Sequence, residues 1–364
     1  MPFPALMVHD FNTGQEVAAW EARYVIGSKV IPDMIPNIIA FRGDGAAKTF
    51  AAGYGGAVLS FDQVLSSVSP MGMAMPVRIL TATTPPAGAF SIGAVSMHMD
   101  MDEVIVGSKV QTPEEFIKGR MMGPKAMTTN GTMLMFSYGL THRTSVRVKA
   151  SYLDKTMDMY VMGGKRMTST THSGISDLEI LVRHNLWRDK IFSRFFTFYG
   201  AITLPAGGFD TAFLATPNLQ LGTGTVTISG GLLGSIRFAD FWLHTQAGYT
   251  VRPENSDDYA FGNVAIVGAA LHYTPFHNLL VGAEIDGIWT AKSEYQSEVI
   301  AKSGGFRNTV AGLLRWRFLT VFGGNFNLML SVATPIYEDL NKYGMGGGWS
   351  WKGMVSYKRR LPLF

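Results

Sequence analysis

Charged side chains alternate with apolar ones along several stretches of the chain, an arrangement that suits a path for polar solutes. Arg315 and Arg317, for instance, are interleaved with Leu314, Trp316 and Phe318. Successive side chains of a strand point to opposite faces, so such charges share one face. Around a lumen they can orient a solute, or they can pair with one another and simply fill a narrow interior. The candidate lumen-lining residues are Arg147, Lys149, Asp177, Glu179, Arg183, His244, Glu284, Asp286, Arg315, Arg317 and Lys352.

Methionine is the second candidate for chemistry, since most of the 21 methionines lie between residues 71 and 162. Soft thioethers, together with an imidazole, suit Cu(I). Met97, His98, Met99 and Met101 are therefore candidate metal ligands. In a straight strand, however, His98 lies on the face opposite the three methionines, so the four cannot all bind one ion. Flexible apolar packing is the alternative role.

Enzymatic chemistry has little support in the sequence. The chain has no Cys, which excludes disulfides, thiolate catalysis and cysteine metal sites. It has no GxSxG, P-loop or zincin spacing. Ser137 or Ser151 can be paired on paper with His142 or His244 as nucleophile and base, but eight His and many Ser make such pairs uninformative. We predict a protein that is not an enzyme and that has no cofactor.

The composition favours a membrane β-barrel over other classes. Of the 364 residues, 47% are apolar and only 16% are charged, whereas soluble domains are about 25% charged. The net charge of +4 comes without a basic block, which makes nucleic acid an improbable partner. The longest uncharged stretch, residues 211–236, contains Pro217 and five Gly, so it cannot form a continuous membrane helix.

From about residue 88 onward the hydrophobic pattern has a period of two. In Thr225–Phe238 one face is apolar and the other is polar, with Leu233 as the one exception. Most such segments have ten or more residues, longer than the roughly 5–6 of soluble sheets and close to a tilted membrane strand. The twelve predicted strands are 89–99, 131–140, 143–153, 174–186, 192–204, 224–237, 241–252, 262–274, 278–290, 308–319, 325–335 and 347–360.

The connections alternate in length, as expected of outer-membrane barrels with short periplasmic turns. Strands in hydrocarbon must also pair on both edges, so the sheet has to close. The predicted short turns are 141–142, 188–190, 239–240, 275–277 and 321–324, and the predicted long loops are 100–130, 154–173, 205–223, 253–261, 291–307 and 336–346. Aromatic girdle positions are Trp289, Trp316, Trp349 and Trp351. A soluble sandwich, with these rings in its core, is the alternative.

Residues 1–80 lack this alternation and are predicted to be a separate N-terminal extension before a barrel of residues 81–364. Thr13–Tyr24 is predicted to be a helix, with Thr13 and Glu16 forming a capping box. The extension could be periplasmic, a plug in the lumen, or a partly spurious start that precedes a signal-like stretch at 48–74.

The region from Pro85 to about Asp210 resembles the family of bacterial outer-membrane proteins named for a meta-pathway phenol degradation protein, often described as transporters. The residues that carry the resemblance are Pro85–Gly88, Met133, Met135, Tyr138–Thr141, Met157, Met159, Ser173–Leu178, Gly200 and Leu204–Gly207. The resemblance implies an outer-membrane β-barrel, distantly similar to channels that admit hydrophobic or aromatic compounds. It implies no catalytic residues.

We therefore expect an all-β, antiparallel up-and-down barrel of about 12 strands in the bacterial outer membrane. Its expected function is passive passage of small molecules, hydrophobic or aromatic ones among them, through a porin-like lumen of mixed charge and methionine, gated by residues 100–130. Its expected partners are outer-membrane lipid and a small-molecule solute, and we expect a monomer. A structural or partner-binding barrel with a filled lumen is the first alternative, and a copper-handling barrel is the second.

Overall fold

The computed structural model describes residues 6–30, 38–61, 64, 76–85, 87–189, 193–276, 278–321 and 324–360. Met71, Met73 and Met75 lie outside the described residues, as do parts of the predicted turns 188–190, 275–277 and 321–324.

The first described segment folds around a small core of its own. Its elements are β1 (Met7–His9), β2 (Glu16–Ala18), β3 (Arg23–Ile26), β4 (Ile38–Phe41), α1 (Asp44–Tyr54) and β5 (Ala57–Leu59). Strands β1 and β2 form a hairpin, and β3 lies between β4 and β5. Phe41 and Phe50 pack with their ring centroids 5.0 Å apart, which joins α1 to the sheet.

The helix predicted for residues 13–24 is wrong. Asp10 accepts hydrogen bonds from the backbone nitrogen of Thr13 and from its Oγ1, at 3.0 and 2.7 Å. Gly14 follows with φ +69°, a left-handed conformation that ends any helix. Thr13 therefore belongs to a turn that reverses the chain into β2, and its hydroxyl serves that turn rather than a helix cap.

Residues 89–360, as far as the structure describes them, form a closed antiparallel barrel of twelve strands, which confirms the predicted fold class. The strands are β6 (Ala89–Met101), β9 (Met122–Gly139), β10 (Thr144–Val161), β11 (Arg166–Ile175) continued by β12 (Leu178–Arg188), β13 (Arg194–Leu204), β14 (Thr227–Phe238), β15 (Phe241–Val251), β17 (Val264–Phe276), β18 (Leu279–Thr290), β21 (Gly305–Val321), β22 (Gly324–Gly346) and β23 (Ser350–Arg360). Pairing of β23 with β6 and of β21 with β22 closes the ring.

Short elements lie at the end of the barrel that carries the long connections. They are β7 (Glu103–Gly107), β8 (Lys109–Gln111), α2 (Pro113–Phe116), two 3-10 turns (Thr211–Phe213 and Pro217–Leu219), β16 (Tyr259–Ala260), β19 (Glu294–Tyr295) and β20 (Glu298–Val299). Thr112 and Glu115 form a capping box at the start of α2. We call this end the outer mouth.

Alternation along each strand separates an apolar outer face from a mostly polar inner face. On β14, Ile228 and Ile236 are 58% and 46% exposed, while Ser235 is completely buried. The predicted girdle tryptophans also point outward: Trp289, Trp316, Trp349 and Trp351 are between 44% and 63% exposed. Apolar side chains this exposed around a whole barrel indicate a surface that faces lipid. Within the described ranges, no helix has the length and apolar character needed to cross a bilayer.

Two of the predicted long loops are strand. Residues 154–173 extend the β10–β11 hairpin, where Thr156 and Thr171 share a hydrogen bond of 2.9 Å across the strands. Residues 336–346 extend β22 beyond β23, and their outer part pairs with β7. Polar residues suggested loops at these positions because the two-faced pattern fades where both faces meet water. Paired, β-branched Thr is nevertheless stable in such a hairpin.

Candidate functional site

Residues 76–85, which we call the strap, run inside the barrel along the inner faces of β12 to β18. The strap starts beside the middle of β18 and ends near the turn-side ends of β12 and β14, just before β6 begins. Backbone groups of the strap hydrogen-bond to inward-facing side chains of the barrel. The boundary predicted between the N-terminal extension (residues 1–80) and the barrel (residues 81–364) therefore falls inside the strap.

Two carboxylates of β18 bind the N-terminal part of the strap, at Val77 and Arg78. Glu284 accepts hydrogen bonds from the backbone nitrogens of Val77 and Arg78, at 2.8 and 2.7 Å. Asp286 forms a two-pronged ion pair with the guanidinium of Arg78. Both carboxylates are at least 97% buried, so loss of these partners would leave them buried without hydrogen bonds.

Three uncharged polar side chains and one arginine bind the C-terminal part of the strap. The backbone nitrogen of Ala82 donates to Ser235 Oγ at 3.1 Å, and the carbonyl of Ala82 accepts from Asn185 Nδ2 and Thr197 Oγ1, at 2.8 and 2.6 Å. Arg183 donates to the carbonyls of Thr81 and Thr83, both at 3.1 Å. The backbone of the strap is thus paired as in a sheet, but by side chains of the barrel.

An apolar patch on the wall packs against Leu80 and Ala82 of the strap. Ala82 packs in a cluster with Leu181, Tyr199, Leu233 and Trp242. Leu233, the exception to the alternation of β14, faces inward and is 1% exposed because it belongs to this patch.

Ile79 packs beside this patch, over the backbone of Gly268. A Cβ at Gly268 would lie 2.5 Å from Cγ2 of Ile79, so glycine is needed for this close approach.

The other predicted lumen residues divide into three groups. Arg147 and Lys149 both pair with Glu179, at 2.9 Å. Asp177 lies between β11 and β12 and accepts hydrogen bonds from the backbone nitrogens of Gly207 and Thr223, so it shapes the 205–223 loop.

His244, Arg315, Arg317 and Lys352 all face inward. His244 is completely buried and lies 2.7 Å from Ser235 Oγ. Arg315 is also completely buried, whereas Arg317 and Lys352 are half-buried. A solute in the lumen could therefore contact Arg317 and Lys352 but not Arg315.

The opposite side of the lumen is lined by methionine. It consists of the inner faces of β10, β9, β6, β23 and β22, which we call the methionine wall; the inner faces of β12 to β21 are the strap wall. Methionines on the methionine wall are Met97, Met99, Met101, Met127, Met133, Met135, Met157, Met159, Met329, Met345 and Met354. The sequence between residues 168 and 328, which includes all strands of the strap wall, has no methionine.

The candidate metal ligands divide between the two faces of β6. Met97, Met99 and Met101 face the lumen. His98 lies on the lipid side, stacked 6.0 Å from Trp351, and its ring nitrogens lie 2.7 Å from Asn130 Oδ1 and Asp100 Oδ2. In the part of the chain that the structure describes, no group of three His, Asp or Glu side chains is placed to hold a metal ion.

Sequence reasoning missed two features of the interior. The strap partners Ser235, Asn185, Thr197 and Gln246 are unremarkable polar positions on strands, and they become a site only because the chain preceding β6 lies against them. The absence of methionine between residues 168 and 328 is visible in the sequence, and it was the available signal for a division of the lumen into two walls.

Comparisons with known proteins agree with the geometry of the barrel. The chain matches the NosL family over residues 5–69. No curated protein matches the chain. An outer membrane channel from Pseudomonas putida F1 has a TM-score of 0.58 and 12% identity, over 79% of this chain and 100% of that one. This similarity shows a shared fold, that of outer-membrane channels.

Two further solved structures are more distant. The P. putida toluene transporter TodX has a TM-score of 0.35 and 8% identity, over 78% of this chain and 92% of that one. A Pseudomonas aeruginosa FadL homologue has a TM-score of 0.36 and 8% identity, over 75% of this chain and 90% of that one. Similarities at this level carry no argument of their own.

Proposed function

We propose that the chain is a channel of the bacterial outer membrane through which small molecules diffuse. The exposed apolar belt, the closed sheet and the short turns at one end support a barrel in that membrane, surrounded by lipid. A twelve-stranded barrel already closes a lumen within one chain, so a monomer is sufficient for function.

The observation that carries the proposal is the solvent access along the methionine wall. Met97, Met99, Met133 and Met135 face the lumen and are half-buried, with Met133 and Met135 packed against the cluster of Val95, Met329 and Met354. Flexible thioethers make favourable contacts with aromatic rings and adapt to irregular apolar shapes. We therefore propose hydrophobic or aromatic solutes, the class that the resemblance to the phenol-degradation family also implies.

Val77 of the strap lies between the two walls. Val77 packs against Leu280 and Leu313 of the strap wall and also against the cluster of Val95, Met329 and Met354. At the outer mouth, Val104 and Phe116 pack on the outermost methionines. We propose that Val77 is the constriction and that residues 100–130 gate the mouth above it.

One observation favours the alternative of a filled barrel that does not transport. The barrel engages the strap at eight successive residues, Val77 to Thr84, and the ion pair of Arg78 with Asp286 is nearly buried. A strap with this many contacts to the barrel can stay in one position and block the lumen permanently. In that case the strap would be a structural element that stiffens a closed barrel.

Liposome swelling with solutes of graded size separates the two functions. The purified full chain is reconstituted and challenged with sugars and with small aromatic alcohols of matched volume. A channel swells the liposomes with the small solutes and admits the aromatic ones faster. Protein-free liposomes correct for aromatic compounds that cross lipid unaided. Swelling equal to those liposomes for every solute would refute the channel and favour the filled barrel.

A further inference from the structure

Three methionines form a row across neighbouring strands at the outer mouth. Met101 on β6 is the direct cross-strand partner of Met127 on β9, and Met127 is the direct partner of Met157 on β10. Directly paired residues have Cβ atoms about 4.5–5.5 Å apart, within the span over which flexible methionines can converge. All three are at least 93% buried in one cluster.

The donor atoms of this row are neutral, soft sulfurs. Its cluster also contains Met99, Met159 and Met345 beside apolar and aromatic residues, and the imidazole of His172 stacks on Phe213 of this cluster with ring centroids 4.4 Å apart. A set of thioethers without charge or oxygen discriminates against Mg²⁺ and Ca²⁺, which prefer oxygen ligands. It suits Cu(I), which prefers soft sulfur.

Apolar packing alone does not explain where the methionines lie. A packing role would distribute methionine around the lumen, yet the strands of the strap wall have none. Moreover, Met121, Met122 and Met162 are 73%, 58% and 58% exposed at the outer ends of β9 and β10, where they fill no core. Their thioethers are therefore accessible to a soft ion that arrives at the outer mouth.

We propose that the row Met101–Met127–Met157 binds one monovalent soft metal ion, Cu(I), at the outer mouth of the barrel. The exposed methionines deliver the ion to the row by ligand exchange between thioethers. The site requires the folded barrel because its ligands come from three strands. It does not require passage of solutes through the lumen, so it can be tested in detergent whether or not the protein is a channel.

The test is competition for Cu(I) with bathocuproine disulfonate, under ascorbate, using the full chain folded in detergent. Ag(I), which needs no reductant, is a second probe. Wild type is expected to take up at least one equivalent of Cu(I). The variant M101L/M127L/M157L is expected to lose that equivalent, and M127L alone is expected to bind at least tenfold more weakly. Leucine conserves volume and apolarity, and heat-dependent gel migration verifies that each barrel is folded.

The matched control is M133L/M329L/M354L, which removes three methionines lower on the same wall. It is expected to retain the equivalent that the row variant loses. X-ray absorption of the copper-loaded wild type is expected to show a first shell of sulfur alone. The proposal is overturned if wild type takes up no Cu(I) or Ag(I), if both triple variants lose binding equally, or if the first shell consists of nitrogen or oxygen.

Discussion

The strap wall and the methionine wall enclose the same lumen but are built differently. On the strap wall, side chains such as Glu284, Asp286 and Ser235 hydrogen-bond a segment of the same chain. On the methionine wall, much of the inner surface is thioether, and several of these side chains remain half-buried against the lumen. One wall is occupied by a specific peptide, whereas the other offers adaptable thioethers beside Arg147, Lys149 and Lys352.

This difference indicates how one barrel can hold a segment of its own chain inside the lumen and still leave a route for solutes. Directional hydrogen bonds and ion pairs define one position for the strap, because unpaired buried groups are costly. Thioethers impose no such geometry and adapt to guests of different shapes. Val77 of the strap packs against both walls. We therefore expect the position of the strap to determine the width of the lumen that is left for a solute.

Replacement of residues 77–84 by a flexible Gly/Ser segment of equal length tests this comparison most strongly. We expect the single-channel conductance in planar bilayers to rise by about twofold or more, because the constriction at Val77 is removed. The control replaces Glu298–Val299, which lie at the outer mouth but outside the proposed gate, by Gly/Ser. An unchanged conductance in the strap variant would show that the strap does not define the pore.

Arg78→Ala tests the N-terminal anchor of the strap alone. It leaves Asp286, 1% exposed, without its ion-pair partner, and we expect the barrel to lose about 3 kcal/mol of unfolding free energy. Urea titration in lipid vesicles, followed by tryptophan fluorescence, measures the loss. Arg317→Ala, which removes a half-buried arginine outside the strap contacts, is expected to cost less than about 1 kcal/mol. Equal losses in the two variants would contradict a specific anchor.

Met135→Lys tests the methionine wall. A charge in the proposed apolar path should slow the entry of aromatic alcohols severalfold, while sugars are affected less. Met135→Leu keeps the surface apolar and should behave as wild type. Liposome swelling measures both variants. If lysine and leucine have the same effect on aromatic solutes, those solutes do not follow the methionine wall.

The double variant R315A/R317A should have the smallest effect. Arg317 is accessible from the lumen, whereas Arg315 is completely buried on the strap wall. We expect a modest shift of ion selectivity toward cations, measured as reversal potential in a salt gradient, and R317A alone should reproduce it. Conductance and selectivity equal to those of wild type would exclude both arginines from the path.

The sequence identified the two faces of the strands well. Alternation in 224–237 and 278–290 predicted the lipid side and the lumen side, because the pleat places successive side chains on opposite faces. It also predicted that Arg147, Lys149, Arg183, Glu284 and Asp286 point inward. The alternation did not predict the strands in residues 154–173 and 336–346, because both faces of those strands meet water and the two-faced pattern is absent.

The interior contacts could not be read from the sequence. Val77 and Glu284 are 207 positions apart, and no local pattern links a short apolar segment to a carboxylate on a distant strand. The methionine row depends equally on register, since a slip of one residue between β6 and β9 would separate Met101 from Met127.

By itself, the sequence determined that the chain forms long amphipathic strands with short turns at one end, because periodicity and turn chemistry are local properties. Only the tertiary structure decided which strand closes the ring, which wall holds the strap and which thioethers face one another. Those outcomes depend on pairing between distant strands, where hydrogen-bond register and closure of the sheet leave a single arrangement of the inner wall.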